Sequence, residues 1–125
     1  MTIDFPGGSR VDVHFGQFTV KTDQPPDASA PTPFDVFLSS IGTCAGIFVL
    51  GFCRQRGLST DGMRIVQHVA RDAQTELTGR ISLEIQLPAG FPEKYRQAVI
   101  QSAQPCAVKK HLEHPPAFDI VTFPN

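Results

Sequence analysis

The sequence predicts an α+β fold in which an antiparallel sheet surrounds one long central helix. Segments with strand and helix patterns follow the order ββ, long helix, ββ, two helices, β. Strands and helices therefore do not alternate singly, which argues against a parallel α/β sheet. The chain has 125 residues, of which 41% are hydrophobic and 18% charged. This length and composition suit a single packed domain over residues 1–125.

The N-terminal part predicts a β-hairpin followed by an ordered loop. Residues 10–15 and 17–22 alternate between apolar and polar side chains, and Gly16 lies between them at the turn. Residues 23–33 contain four prolines, which exclude a continuous helix or a central strand there.

The pattern over residues 34–55 predicts the long helix. Thr32 is a suitable N-cap, Pro33 a suitable first helical residue, and Gly57 a suitable C-cap. Apolar residues occupy most faces of this helix, so we expect it to be buried and central. Glycines within it, at Gly42 among other positions, would let a neighbouring group pack very close.

The C-terminal part completes the predicted sheet and adds two helices. Residues 63–71 and 80–87 have strand patterns, and the second alternates regularly. The segments 92–103 and 105–112 are predicted helices, and residues 118–123 a final strand.

Charge and hydropathy narrow the possible partners and the location. The net charge is −1 and the chain has no Trp and one Tyr, so we expect no nucleic-acid partner. The uninterrupted apolar run over residues 45–53 is too short to cross a bilayer, so we expect no membrane partner. The N-terminus has no signal segment, which favours a cytoplasmic protein with free thiols.

Two of the three cysteines are candidates for redox chemistry. Cys44 and Cys53 lie nine residues apart, on opposite sides of the predicted helix, so they cannot form a disulfide there. Cys106 lies at the start of a helix, near Lys109 and Lys110, where a thiolate is favoured. If the fold brings Cys44 and Cys106 together, they form a redox pair, whereas Cys53 is expected to be core.

Burial is expected to act against Cys44 as a reagent. It lies too deep in its own helix to benefit from the helix dipole, so burial would raise its pKa unless a cation reaches it. Metal binding through Cys106, His111 and His114 is an alternative, although the sequence has no CxxC or HExxH motif. The absence of GxSxG argues against a serine hydrolase.

Two segments resemble the OsmC family of osmotically inducible and organic-hydroperoxide-resistance proteins. They are PFDVFLSSIGTC, which ends at Cys44, and CAVKKHL, which begins at Cys106. The resemblance implies an OsmC-like α+β fold and an intertwined homodimer with active sites near the dimer interface. It further implies that Cys44 attacks an organic hydroperoxide, that Cys106 resolves the product as a disulfide, and that a dithiol reductant restores both. No cofactor is implied.

The resemblance also indicates which other residues would assist. Peroxidase members have a Glu at the position of Phe34, and the nearest acid here is Asp35. An N-terminal arginine holds the thiolate in the family, and Arg10 is the only arginine before the helix. The apolar neighbours of Cys44 in the sequence, Phe37, Ile41 and Phe48, would suit an alkyl group. The alternatives are a redox-sensing or small-ligand-binding dimer without turnover, and a metal-binding or purely structural domain.

Overall fold

The structure, a computed structural model, describes residues 1–123. The chain divides into two compact units, and the boundary falls within the long helix between Ser40 and Ile41. The expected α+β class is confirmed, with antiparallel sheets and helices. The sheet, however, is not continuous: the first unit contains a three-stranded sheet and the second a two-stranded one. The single domain over residues 1–125 stays a prediction.

The N-terminal sheet is a meander of three antiparallel strands. The predicted hairpin is present as β2 and β3, and Gly16 adopts a positive φ at the turn between them. The first strand, β1, was not predicted, because Pro6 and the glycines after it break the strand pattern. β1 lies at an edge and its register shifts between Asp4 and Gly7, a position where a sheet tolerates proline. The strands span Thr2–Gly7, Arg10–Phe15 and Phe18–Thr22.

The proline-rich loop after β3 is ordered, as the sequence predicts. One buried carboxylate, that of Asp23, holds it in place. Asp23 is 1% exposed and accepts hydrogen bonds from the Ser9 hydroxyl at 2.6 Å and from the Ser29 backbone N–H at 2.8 Å. Asp23 accepts hydrogen bonds from the Ser29 hydroxyl, from Ser9 and from backbone amides, and these hold its pKa well below the usual range. This lowered pKa means that the carboxylate stabilises the loop at neutral pH and loses that effect in strong acid.

The long helix α1, Pro33–Gln55, begins and ends where the sequence predicts. Thr32 and Asp35 form a capping box: the Thr32 hydroxyl accepts from the Asp35 N–H at 3.1 Å, and the Asp35 carboxylate accepts from the Thr32 N–H at 3.2 Å. At the other end Gly57 has a φ of 64°. The Leu58 N–H donates to Cys53 O at 2.9 Å, and the Gly57 N–H donates to Arg54 O at 3.2 Å, which is a Schellman motif.

α1 is buried along one face, not most of the way round as the sequence suggests. The buried residues Ile41, Ala45, Val49, Phe52 and Cys53 follow a helical spacing. The opposite face carries exposed apolar side chains, of which Ile47 is 68% exposed. By length and composition alone α1 could cross a membrane, although the core helices of soluble proteins meet the same test.

The second unit packs a β-hairpin and short helices against the C-terminal part of α1. Its core contains Val49, Phe52 and Cys53 of α1 together with Val99. The Arg56 guanidinium lies 3.8 Å from the centre of the Phe52 ring, a cation–π contact at the edge of this core. The elements are β4, Arg64–Arg71; β5, Thr78–Gln86; a 3₁₀ turn, Glu93–Tyr95; α2, Arg96–Ser102; and α3, Ala107–Glu113.

The predicted strand over residues 118–123 is wrong. This segment has no strand partner among residues 1–123, and its side chains are exposed, with Phe118 at 84% and Ile120 at 98%. An apolar pattern favours an extended backbone, but a strand exists only where another edge supplies hydrogen-bond partners.

Replacing glycine by alanine is expected to have opposite effects on stability at Gly57, which follows α1, and at Gly51, which lies within it. Gly57→Ala forces alanine into a left-handed conformation, and we expect a loss of about 1 kcal/mol in the free energy of unfolding. Gly51→Ala meets no atom within 4 Å and improves helix propensity, so we expect a gain of about 0.5–1 kcal/mol. Urea unfolding measures both. A loss in Gly51→Ala would contradict the open space at that position.

Candidate active site

Cys106 is the N-cap residue of α3 and one of the least exposed side chains of the second unit. Its backbone is extended, with φ −77° and ψ 125°, and its sulfur accepts a hydrogen bond from the Lys109 N–H at 3.4 Å. The side chain is 2% exposed, and its thiol points to Ile41 O at 4.0 Å. The sequence places Cys106 in the first turn of a helix, whereas in the structure it precedes that turn and caps it.

Cys44 is half-buried on α1, and its sulfur accepts hydrogen bonds from backbone amides at the start of α3 that Cys106 does not bind. The Val108 N–H, the Cys106 thiol and the Ala107 N–H all hydrogen-bond to its sulfur. These contacts, led by the Val108 amide, lower the pKa of Cys44 and outweigh the opposing effect of burial. Burial does act to raise the pKa of Cys44, as expected, but the net shift is downward because these hydrogen bonds are stronger than the effect of burial. The start of another helix, rather than a cation or the dipole of α1, favours the thiolate.

The fold thus brings together two thiols that are 62 residues apart in the chain. The first amides of a helix have no partner within the helix and must be satisfied from outside. Here Ala107, Val108 and Lys109 donate them to the sulfurs of Cys44 and Cys106. Both thiols are free in the structure, so the site is a reduced dithiol whose members are in contact.

Cys53 fits the expectation that it is a core residue. It is completely buried, and burial raises its pKa against a smaller opposing effect of Arg56. A buried neutral thiol is chemically inert, so Cys53 provides an internal reference for the reactivity of the other two.

Arg10 and Asp35, the other predicted site residues, lie in the first unit and are engaged there. The Arg10 guanidinium pairs with the Asp12 carboxylate on β2, and Arg10 Nε and Asp12 Oδ1 are buried without a hydrogen-bond partner. The Asp35 carboxylate caps α1 through Thr32. Phe34, which stands where peroxidase members have a Glu, is 54% exposed.

The apolar surroundings of the two thiols differ from those suggested by the sequence. Phe37 and Phe48 are exposed on α1, at 37% and 38%. Ile41, by contrast, lines a cavity of about 370 Å³ in the second unit, and Cys106 forms part of the same wall. Space for an apolar group therefore exists beside Cys106.

The metal site considered from the sequence has no support among residues 1–123. No group of three or more His, Cys, Asp or Glu side chains there could hold a metal ion. His111 Nδ1–H donates instead to Ala107 O at 2.7 Å within α3.

Comparison with known proteins shows the family of this chain. The family model of the OsmC-like proteins matches residues 26–121, which include both cysteines of the pair. This chain belongs to the OsmC-like family. No curated protein matches it significantly.

Two solved structures share the fold of this OsmC-like chain. One is described as an osmotic stress induced and detoxification response protein from Psychrobacter arcticus 273-4; it is 18% identical, with a TM-score of 0.72 over 87% of this chain and 84% of its own. The second is a structural genomics structure, 15% identical, with a TM-score of 0.67 over 91% of this chain and 88% of its own. At these identities the likeness concerns the fold alone.

Sequence reasoning missed the groups that act on Cys44, because they are backbone amides. Ala107 and Val108 carry no functional side chain, and no motif in the sequence marks them as belonging to the site. The available signal was Pro105-Cys106, a helix-start pattern whose unpaired amides need an acceptor.

The lowered pKa of Cys44 predicts that this thiol reacts at a lower pH than an ordinary one. We expect the rate of alkylation of Cys44 by iodoacetamide to rise with a midpoint below 9.0, the reference value for an ordinary thiol, and to fall as the pH drops below that midpoint. Mass spectrometry after brief labelling measures each cysteine separately, and Cys53 serves as the unreactive reference. A midpoint at or above the ordinary value would contradict the role of the α3 amides.

Removing one of these amides tests the same cause directly. Ala107→Pro deletes an N–H that reaches Cys44, and the extended backbone of Cys106 accepts a proline after it at the first helical position. We expect the pKa of Cys44 to rise and its alkylation at pH 7 to slow roughly fivefold, the loss of one hydrogen bond of about 1 kcal/mol. Circular dichroism checks that the helices remain. An unchanged rate would mean that this amide does not stabilise the thiolate.

Proposed function

We propose that this chain is a cysteine-based thiol peroxidase that reduces organic hydroperoxides, with Cys44 as the peroxidatic residue and Cys106 as the resolving residue. The observation that carries the proposal is the contact between these two free thiols, with the α3 amides directed at Cys44. A peroxidatic cysteine needs a stabilised thiolate and a second thiol within reach, and this pair meets both requirements.

In the first step the Cys44 thiolate attacks the terminal oxygen of the hydroperoxide. The O–O bond breaks, and the alkoxide leaves and takes a proton from solvent to become an alcohol. Cys44 is oxidised to a sulfenic acid. The amides of Val108 and Ala107 favour the thiolate before the reaction, so the site does not depend on a side-chain cation to form it.

In the second step the Cys106 sulfur attacks the sulfur of the sulfenic acid. The S–S bond forms, and the hydroxyl leaves with a proton as water. An external dithiol then attacks the Cys44–Cys106 disulfide through a mixed disulfide, and both protein thiols are restored while the dithiol becomes a cyclic disulfide.

A redox sensor without turnover is the second candidate, and three residues favour it. Phe34 replaces the Glu of peroxidase members, the Asp35 carboxylate caps α1, and Arg10 pairs with Asp12. If none of these side chains assists Cys44, oxidation to the disulfide would still occur, but too slowly for an efficient enzyme. Turnover with a dithiol separates the two candidates.

The exposed apolar face of α1 supports an intertwined homodimer as the working form. On the side of α1 opposite the buried residues, Ile47 leaves 68% of its surface exposed and Leu50 is half-buried, so an apolar surface remains uncovered in the single chain. A second copy of the chain would cover this face. We infer a cytoplasmic location, where reducing dithiols are present.

The peroxidase proposal predicts that turnover depends on both thiols of the pair. With cumene hydroperoxide and excess dithiothreitol, wild-type protein should accelerate oxidation of the dithiol, and Cys44→Ser should reduce this activity at least a hundredfold, because the attacking sulfur is gone. Cys106→Ser should accumulate the sulfenic acid at Cys44, which dimedone labelling detects.

Cys53→Ser is the matched control, since Cys53 lies in the same helix outside the pair, and its turnover should remain near wild type. One disulfide per chain without repeated turnover would favour the redox sensor. Thiols that stay intact after peroxide treatment would contradict both functions.

The dimer predicts that a charge on the exposed face of α1 separates the subunits. Ile47→Glu should convert a dimer into a monomer or raise its dissociation constant at least tenfold, because a buried unpaired carboxylate is costly. Gln101→Glu, on the exposed side of α2, is the control and should leave the mass unchanged. Sedimentation velocity measures both. A monomeric wild-type protein would overturn the dimer.

A further inference from the structure

The cavity of about 370 Å³ in the second unit has the size of a small-molecule site. It lies between β5, α1 and the two C-terminal helices, and its volume is near the lower end of the roughly 300–1,000 Å³ of small-molecule pockets. Most of its wall is apolar: β5 contributes Ile81, Leu83 and Ile85, and α1 contributes Ile41 and Ala45. The cavity is open to solvent, since two of its lining residues, Ile100 and Leu112, are 43% and 51% exposed, and a ligand can therefore enter it.

The polar groups of the cavity come from one short segment of its wall. They belong to Gln104, Cys106 and Lys109, which lie within six residues of chain. Lys109 Nζ donates to Gln104 Oε1 at 2.9 Å. Among residues 1–123, no carboxylate forms an ion pair with Lys109, so its charge has no anionic partner.

We propose that this cavity binds a single-chain alkyl carboxylate, with the alkyl chain against β5 and the carboxylate on Lys109. An apolar wall with one cation beside it selects a molecule with an apolar chain and one negative charge. One lysine supplies a single positive charge, which matches the single negative charge of a carboxylate better than the double charge of a phosphate. The small volume favours a chain of medium length, and decanoate is the probe that we choose.

The position of the cavity determines which of the two thiols a bound ligand would contact. Cys106 forms part of the wall, while Cys44 is not among the lining residues. A bound alkyl carboxylate would therefore contact Cys106 and not Cys44. Binding needs no peroxide and no turnover, so this inference does not depend on the proposed function.

The test is calorimetric titration of reduced protein with decanoate below its micelle concentration, and with decanol, which lacks the charge. Lys109→Gln removes the cation from the cavity, and Lys110→Gln is the matched control because Lys110 does not line it. We expect decanoate to bind wild type and Lys110→Gln alike, and Lys109→Gln about tenfold more weakly, which corresponds to about 1.4 kcal/mol. Decanol should bind wild type and Lys109→Gln equally.

Equal decanoate affinity in the two lysine variants would overturn the assignment of the carboxylate to Lys109, and absence of binding would overturn the site. A second readout locates the ligand: decanoate should slow alkylation of Cys106 at least threefold and leave alkylation of Cys44 nearly unchanged. Protection of Cys44 instead, or of neither cysteine, would place the ligand elsewhere and contradict the proposal.

Discussion

The amides at the start of α3 are the interaction on which the candidate site depends. A helix must find acceptors for its first N–H groups, and here the acceptors are two sulfur atoms. Cys106 takes one amide as the N-cap, and Cys44, from a different helix, takes two more. The same contacts therefore hold α3 against α1 and favour the thiolate of Cys44. The position of α3 and the reactivity of Cys44 therefore depend on the same hydrogen bonds.

In the proposed peroxidase, these amides would supply part of what side chains do in the peroxidase members that the chain resembles. Phe34 cannot act as their Glu, and the Asp35 carboxylate is occupied as a helix cap. Arg10 has a carboxylate partner of its own in Asp12. Backbone amides do not depend on these residues, because every amino acid except proline supplies one. Reactivity at Cys44 is thus compatible with the departures in sequence, which is why function is better judged from the thiol pair than from the missing Glu.

α1 has two apolar sides, one buried in the core and one exposed. One face, which includes Ala45 and Val49, packs in the core of the chain, whereas Ile47 points away from it. The capping box and the Schellman motif determine where the helix begins and ends, so its length does not depend on what covers the exposed face. The exposed side of α1 is therefore already formed in the single chain, and the proposed dimer would cover it.

Local signals in the sequence determined the elements of this protein. Thr32-Pro33 and Gly57 define α1 because caps act over a few residues, and the alternation in β5 defines a strand because side chains point to opposite faces in turn. The cysteine pair could be named from the two segments that resemble the family. None of these predictions needs to know which residues meet in space.

The tertiary structure alone decided what the elements do to one another. The contact of Cys44 with amides 63 and 64 residues further along reversed the expected direction of its pKa, because a hydrogen bond depends on distance in space and not in sequence. Pairing made a strand of β1 despite its proline, and lack of pairing left residues 118–123 without strand structure. The cavity beside Cys106 likewise arises from four elements that only folding assembles. Sequence patterns report what a segment favours by itself, whereas pairing, burial and hydrogen bonding between distant segments exist only in the folded chain.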